Sequence, residues 1–121
     1  HKHPKRNCVY DEAEAVIKAK KDKKEKVLKQ IEGYRSENLP TNGGLIASAI
    51  MFRNHKKQNI INCMETWWEE IKNKSHRDQL SFYYAPWKSG VPYYAFGEDF
   101  FTKYFYQGHH RIKNGKIRRQ Y

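Results

Sequence analysis

The sequence predicts an α/β domain of three or four helices with a small mixed sheet, and three observations carry that expectation. Ile60, Ile61, Met64, Trp67, Trp68 and Ile71 recur at three- and four-residue steps, the pattern of a helix with one buried face. Residues 45–52, LIASAIMF, form an uninterrupted apolar run whose length suits a buried strand. Residues 91–96, VPYYAF, read as a strand, placed at a sheet edge by Pro92, which has no N–H to give to a ladder.

Taken in order, residues 1–10, HKHPKRNCVY, read as a loop containing Pro4 followed by a short extended piece over 7–10. A single helix is expected over 11–34: Asp11 is a good cap, Glu12 and Glu14 suit the positive end of the dipole, and Gly33 lies where helices stop. Its Lys-rich centre, AKKDKKEKVLK, projects into solvent, while Ala13, Val16 and Ile17 at one end and Val27, Leu28, Ile31 and Tyr34 at the other can pack. Residues 36–44, SENLPTNGG, are loop, and Asn42-Gly43-Gly44 allows backbone angles that other residues resist. Arg53, Asn54 and His55 then emerge at the end of the expected strand, where α/β sheets hold their ligands. The periodic helix runs over 58–73 and ends at Asn73-Lys74-Ser75. Ser75 is set to cap a second helix with Asp78 in its first turn, continuing through Tyr84 until Pro86. Residues 100–106, FFTKYFY, are ambiguous between strand and short helix, and 109–121 form a basic, poorly ordered tail beyond a domain covering 1–108.

At 121 residues the chain is one domain or part of one; only 38% of it is hydrophobic, but the 15% of aromatic residues compensates with large apolar area carrying polar tips. The opening HKHPKRN has no initiator Met, so an N-terminal part is expected to be missing, and no run approaches the ~20 apolar residues of a membrane span. Cys8 and Cys63 lie in no zinc or CxxC spacing and read as two buried free thiols rather than a disulfide. The net charge of +11 sits mainly in residues 18–29 and the tail, where a solvated helix face accounts for it better than a nucleic-acid surface does. Anionic partners, including a sugar nucleotide or an acidic glycan, are still favoured.

Three separated pieces, HPKRNCVYDEA, GLIASAIMFRNH and WWEEIKNKSHRDQLSF, together resemble one family: the TOD/MUCI-type glycosyltransferase-like domain, found in plant Golgi proteins and in bacterial and viral glycan loci. The resemblance covers about the first two thirds of the chain, as the C-terminal, acceptor-side part of such a domain. It implies a partial GT-A-like fold and transfer of a hexosyl or uronosyl group from a nucleotide-sugar donor to a glycan or other hydroxyl acceptor. It also implies a divalent cation, Mn or Mg, held mainly by residues outside this chain, since no DxD motif occurs here. Whether the piece is active alone is left open. A bacterial or viral member would work in the cytoplasm, a plant one in the Golgi lumen.

Carried over residue by residue, the resemblance makes Asp78 the catalytic candidate, as the base that accepts the acceptor hydroxyl's proton or, in a retaining enzyme, as an orienting group. Arg77 and Gln79 support it. His3 and Arg6 are expected to hold donor phosphate, Arg53 and His55 to contact substrate at the strand end, and Tyr83, Tyr84 and Trp87 to stack on a sugar ring or else to close the core. Glu12 is either a sugar-binding carboxylate or, the better reading, a first-turn helix residue. Trp67 and Trp68 read as core. His109 is a metal-ligand candidate, resting on the late histidine of many GT-A enzymes. The alternative is a small basic module binding nucleic acid or acidic polysaccharide without catalysis, through Lys20, Lys21, Lys23, Lys24 and the tail; of these partners nucleic acid is the less expected.

Overall fold

The computed structural model describes residues 1–105, with Glu98 in backbone only, and the backbone of 112–113 and 116–117. Among these residues the chain forms the helices α1 (Val9–Lys18), α2 (Lys24–Ser36), α3 (Gln58–Asn73), α4 (Asp78–Phe82), α5 (Tyr84–Ser89) and α6 (Glu98–Tyr104). A two-residue antiparallel pair follows, β1 (Ile112–Lys113) with β2 (Lys116–Ile117), together with an isolated bridge between Lys2 and Ile46. The fold is therefore helical, and the expected α/β class with its mixed, GT-A-like sheet is corrected.

Both expected strands fail because a strand needs a neighbour to take its backbone groups. Beside residues 45–47 the neighbour is the three-residue N-terminal segment: His3 N–H donates to Leu45 O at 2.8 Å and Ala47 N–H to His1 O at 2.9 Å. Residues 91–96 receive one such bond, from Lys2 N–H to Phe96 O at 2.9 Å. These are single ties and make no ladder. Leu45 and Ile46 are buried, the chain turns after Ala47, and Phe52 ends 71% exposed. Apolar length alone does not separate a buried strand from such a packed loop.

The helix expected over 11–34 is two helices, and of the extended piece expected over 7–10 Cys8 is extended while Val9 and Tyr10 already belong to the first helix. Val9, 1% exposed, starts α1 two residues before Asp11. Past Lys18, Lys20 adopts φ 51°, with Lys20 N–H bonded to Ile17 O and Lys21 N–H to Val16 O. That paired bonding is a Schellman ending, which favours glycine at the left-handed position. The same ending closes α2 at Asn38, with φ 63°, and α5 at Gly90, with φ 64°. Gly33, expected to stop a helix, lies inside α2. Pro86 is also within a helix, the first turn of α5, where its missing N–H removes no helical bond. Of the stretch 100–106, residues 100–104 are helical, in α6, Phe105 is extended, and Tyr106 lies outside the described residues.

One core cluster joins α1, α2 and α4 through Val9, Ala13, Val16, Val27, Ile31 and Leu80; a second, around Cys63, Ala85 and Val91, seats α3 on α5. Both cysteines are buried free thiols, as expected. The period of α3 is as predicted, but its buried edge passes through Ile60, Cys63, Met64, Trp67 and Glu70, leaving Trp68 59% exposed rather than in the core. Between α2 and α3 lies a buried polar network. Tyr34 Oη donates to Glu70 Oε2 at 2.6 Å and accepts from Gln30 Nε2 at 2.8 Å. Gln30 Oε1 in turn accepts the Ser75 N–H at 3.1 Å. Ser75 Oγ donates to Asp22 Oδ2 at 2.6 Å and accepts the Arg77 N–H at 3.2 Å, so this serine braces the entry to α4 rather than capping it from the next position.

Because Lys20 bears a Cβ in a conformation that costs an L-residue roughly 1–2 kcal/mol, Lys20→Gly is expected to raise unfolding stability by about 1 kcal/mol. Lys20→Ala removes the charge but keeps the Cβ, and is expected to gain far less. Urea denaturation of the three proteins checks this; equal gains would assign the effect to charge.

Candidate functional site

A cleft of about 1140 Å³ opens between the N-terminal loop, the turn at residues 42–46 and the segment following α4. Four of the residues singled out from sequence line it: His3 and Arg6 on one wall, Tyr83 and Trp87 on the other. Lys2 and Lys5 add to the basic wall and Tyr93 to the aromatic one, and no Asp or Glu among the described residues lines the cleft.

The basic wall is built on a buried carboxylate. Glu12, 2% exposed in the first turn of α1, forms an ion pair with Arg6 Nε, and His3 Nε2 lies 3.8 Å from the same oxygen. His3 Nδ1 accepts the backbone N–H groups of Lys5 at 3.2 Å and Arg6 at 3.1 Å, which leaves the ring's proton on Nε2, facing Glu12. Burial pushes the His3 pKa down and outweighs the opposing charge of Glu12; Arg6, Lys5 and Lys21 add to the lowering. Glu12 is thus a first-turn helix residue, the better of its two readings, whose buried carboxylate also pairs with the loop. It anchors the loop that forms the wall.

The aromatic wall is held from behind by Gly43. A Cβ at this position would overlap the Tyr83 hydroxyl and ring, so the turn lies against the phenol as only glycine permits. Burial pushes the Tyr83 pKa up, keeping the hydroxyl protonated. Trp87 and Tyr93 remain 37% and 41% exposed, whereas Tyr84, also expected to stack on a sugar, is buried against Tyr34 and does not line the cleft.

Arg77, Asp78 and Gln79 lie outside this cleft, at the start of α4, each half-buried. Asp78 Oδ2 accepts a hydrogen bond from Ser48, while Oδ1 has no hydrogen-bond partner among the described residues. Its backbone O takes bonds from Trp67 Nε1 at 3.3 Å and Ser81 Oγ at 3.2 Å, which fix the turn. Arg77 Nε is buried without a hydrogen-bond partner among the described residues. Arg53 and His55 are exposed and line a separate groove of about 330 Å³ with Met64, Glu65 and Trp68; Arg53 Nη1 rests 3.3 Å from the Met64 sulfur. His109 lies outside the described residues. Among those described, no three His, Cys, Asp or Glu side chains converge to hold a metal ion, so the cation implied by the resemblance has no fitting ligand set here.

Sequence reasoning missed Ser48, Lys2, Lys5 and Tyr93. Ser48 sits inside the apolar run expected to be a strand, and only the tertiary fold brings it to Asp78. The glycines at 43 and 44 were visible as a turn, without a sign of what they touch.

His3 is neutral when buried and titrates near pH 6.5 when unfolded. Between that value and its lower folded pKa the unfolded chain binds more protons, so stability falls as pH drops below about 6.5. His3→Asn keeps a local acceptor and is expected to flatten this slope in melting temperature between pH 7.5 and 5.5; an unchanged slope would exclude His3 as its source. Gly43→Ala is expected to cost about 1–3 kcal/mol by overpacking, and much less when Tyr83 is also replaced by Ala, since the two sites touch. Additive costs in that double-mutant cycle would show that the turn yields elsewhere.

Comparison with curated proteins and with solved structures finds no match. A family model described as TOD1/MUCI70, glycosyltransferase-like domain, matches residues 1–109 and so takes in the whole of the cleft and the Asp78 turn. The chain belongs to the TOD1/MUCI70 glycosyltransferase-like domain family.

Proposed function

We propose that the chain binds a nucleotide-sugar donor in the large cleft and takes part in transferring its sugar to a hydroxyl of a glycan or other acceptor. The observation that carries this reading is the pairing of a basic wall with an aromatic wall in a cleft whose described lining includes no acidic residue. A nucleotide sugar is a diphosphate between flat or ring-shaped groups, and such walls suit both kinds of part. Family membership supports the same class of chemistry.

In the transfer step the acceptor oxygen forms a bond to the donor's anomeric carbon while the bond from that carbon to phosphate oxygen breaks. The leaving nucleotide diphosphate keeps the electron pair, and the acceptor's proton passes to a base. Asp78 is the proposed base, since Ser48 orients one carboxylate oxygen and the other has no hydrogen-bond partner among the described residues. In a retaining reaction the same carboxylate orients the two sugars instead. Asp78 and Tyr83 are joined by α4 alone, about 7.5 Å at 1.5 Å per residue.

Ligand-observed NMR with a panel of nucleotide sugars at two salt concentrations tests the reading. One donor is expected to bind at both, and Trp87→Ala to weaken it by the roughly 1–3 kcal/mol of a stacked ring. Asp78→Asn should leave that binding nearly unchanged while lowering transfer about 10²–10⁴-fold. Retention only on polyanions, salt-sensitive and indifferent to both substitutions, would instead favour the basic binding module.

A further inference from the structure

We infer that Glu12 is a positioning residue that grips the Arg6 guanidinium by its Nε edge and presents the remaining fork to the cleft as an oxyanion site for the donor's diphosphate. The inference rests on the reading of the cleft as a donor site and assigns the group read by its basic wall.

A carboxylate only 2% exposed is costly unless a cation meets it, and Arg6 Nε does so. The guanidinium has five N–H groups in a rigid plane. With Nε occupied by Glu12, the two Nη groups have no hydrogen-bond partner among the described residues, and the side chain, 27% exposed, lines the cleft. The backbone around it is tied as well, because His3 Nδ1 accepts the N–H groups of both Lys5 and Arg6. Lys2 and Lys5 lie on the same wall, and among the described residues no carboxylate lines the cleft to neutralise them. A fork flanked by two ammonium groups suits a multiply charged diphosphate better than a singly charged carboxylate.

Arg6→Lys separates geometry from charge. Its single ammonium can pair with Glu12 but offers no second edge, so the charge is kept and the fork is lost. The full chain is titrated with inorganic pyrophosphate and, in parallel, with glucuronate, alongside Arg6→Lys, Glu12→Gln and the surface control Lys24→Ala. Pyrophosphate is expected to bind more tightly than glucuronate, and Arg6→Lys and Glu12→Gln each to weaken it on the order of tenfold or more, as for a lost charge-assisted bond. Lys24→Ala should change it less than twofold. The Arg6 Nε–H resonance, protected in the parent protein, should vanish in Glu12→Gln. A folded Arg6→Lys that binds pyrophosphate as the parent does overturns the inference, as does preference for glucuronate or an Nε–H signal indifferent to Glu12→Gln. If Glu12→Gln does not fold, the Arg6→Lys result decides. Where pyrophosphate behaves as expected but no nucleotide sugar binds more tightly than it, the oxyanion site stands and the donor reading falls.

Discussion

Inside the protein the Tyr34 phenol donates to Glu70 at 2.6 Å, and the placement of α2, α3 and α4 follows from that contact. Burial, and then this hydrogen bond, push the Tyr34 pKa far above its usual value, so the phenol stays a donor wherever the protein is folded. Glu70 is completed on its other oxygen by Lys74 at 2.7 Å, which also lies over the rings of Tyr34 and Tyr84. Tyr84 stacks on Tyr34 with centroids 4.5 Å apart, its own pKa pushed up to about 12 by burial and by its bond to Glu37. One buried acid therefore fixes the first residue of α5 against α2. Through Gln30 and Ser75 it also fixes the polar turn from which α4 begins.

Glu12 plays the corresponding part for the loop. Lacking a ladder, residues 1–7 hold their course through a few backbone bonds to residues 44–47 and 96 and through the pair from Arg6 to Glu12. Ion pairs exposed to water contribute little, but a buried carboxylate that loses its partner is left as an uncompensated charge, so the partner's place is strongly specified. Ordering by a buried acid fixes the loop while leaving its cationic outer edge open to the cleft, as pairing into a central strand would not.

How much of this was legible in the sequence depends on whether a signal was local. The α3 helix was legible because its apolar residues repeat at the helical period, and the cleft aromatics at 83 and 87 because they follow it closely. The break at Lys20 was not, since the ending usually marked by glycine is here imposed on a lysine. Nor was the loss of the strand at 45–52, where the apolar run is real but its backbone partners are too few. The role of Glu12 was hidden for a different reason. A glutamate in a first turn is ordinary, and only the return of residues 3–6 over α1 makes it the foundation of a wall.

The two kinds of charge in the proposed site are also kept apart, and there is a chemical reason for it. A carboxylate set among Lys2, Lys5 and Arg6 would be held ionised by those cations, paired with them, and so made a weaker base. It would also repel the diphosphate that the wall is proposed to bind. Asp78 stands instead outside that wall, at the far end of α4, where its side chain accepts from Ser48, a neutral hydroxyl. α4 is short, and its buried Leu80 and Phe82 tie it to the interior, so the acid and the aromatic wall stay at a set separation. For a transfer in which negative charge leaves with the nucleotide while a proton moves the other way, cations at the leaving group and an unpaired carboxylate oxygen at the acceptor each stabilise the charge that develops beside them.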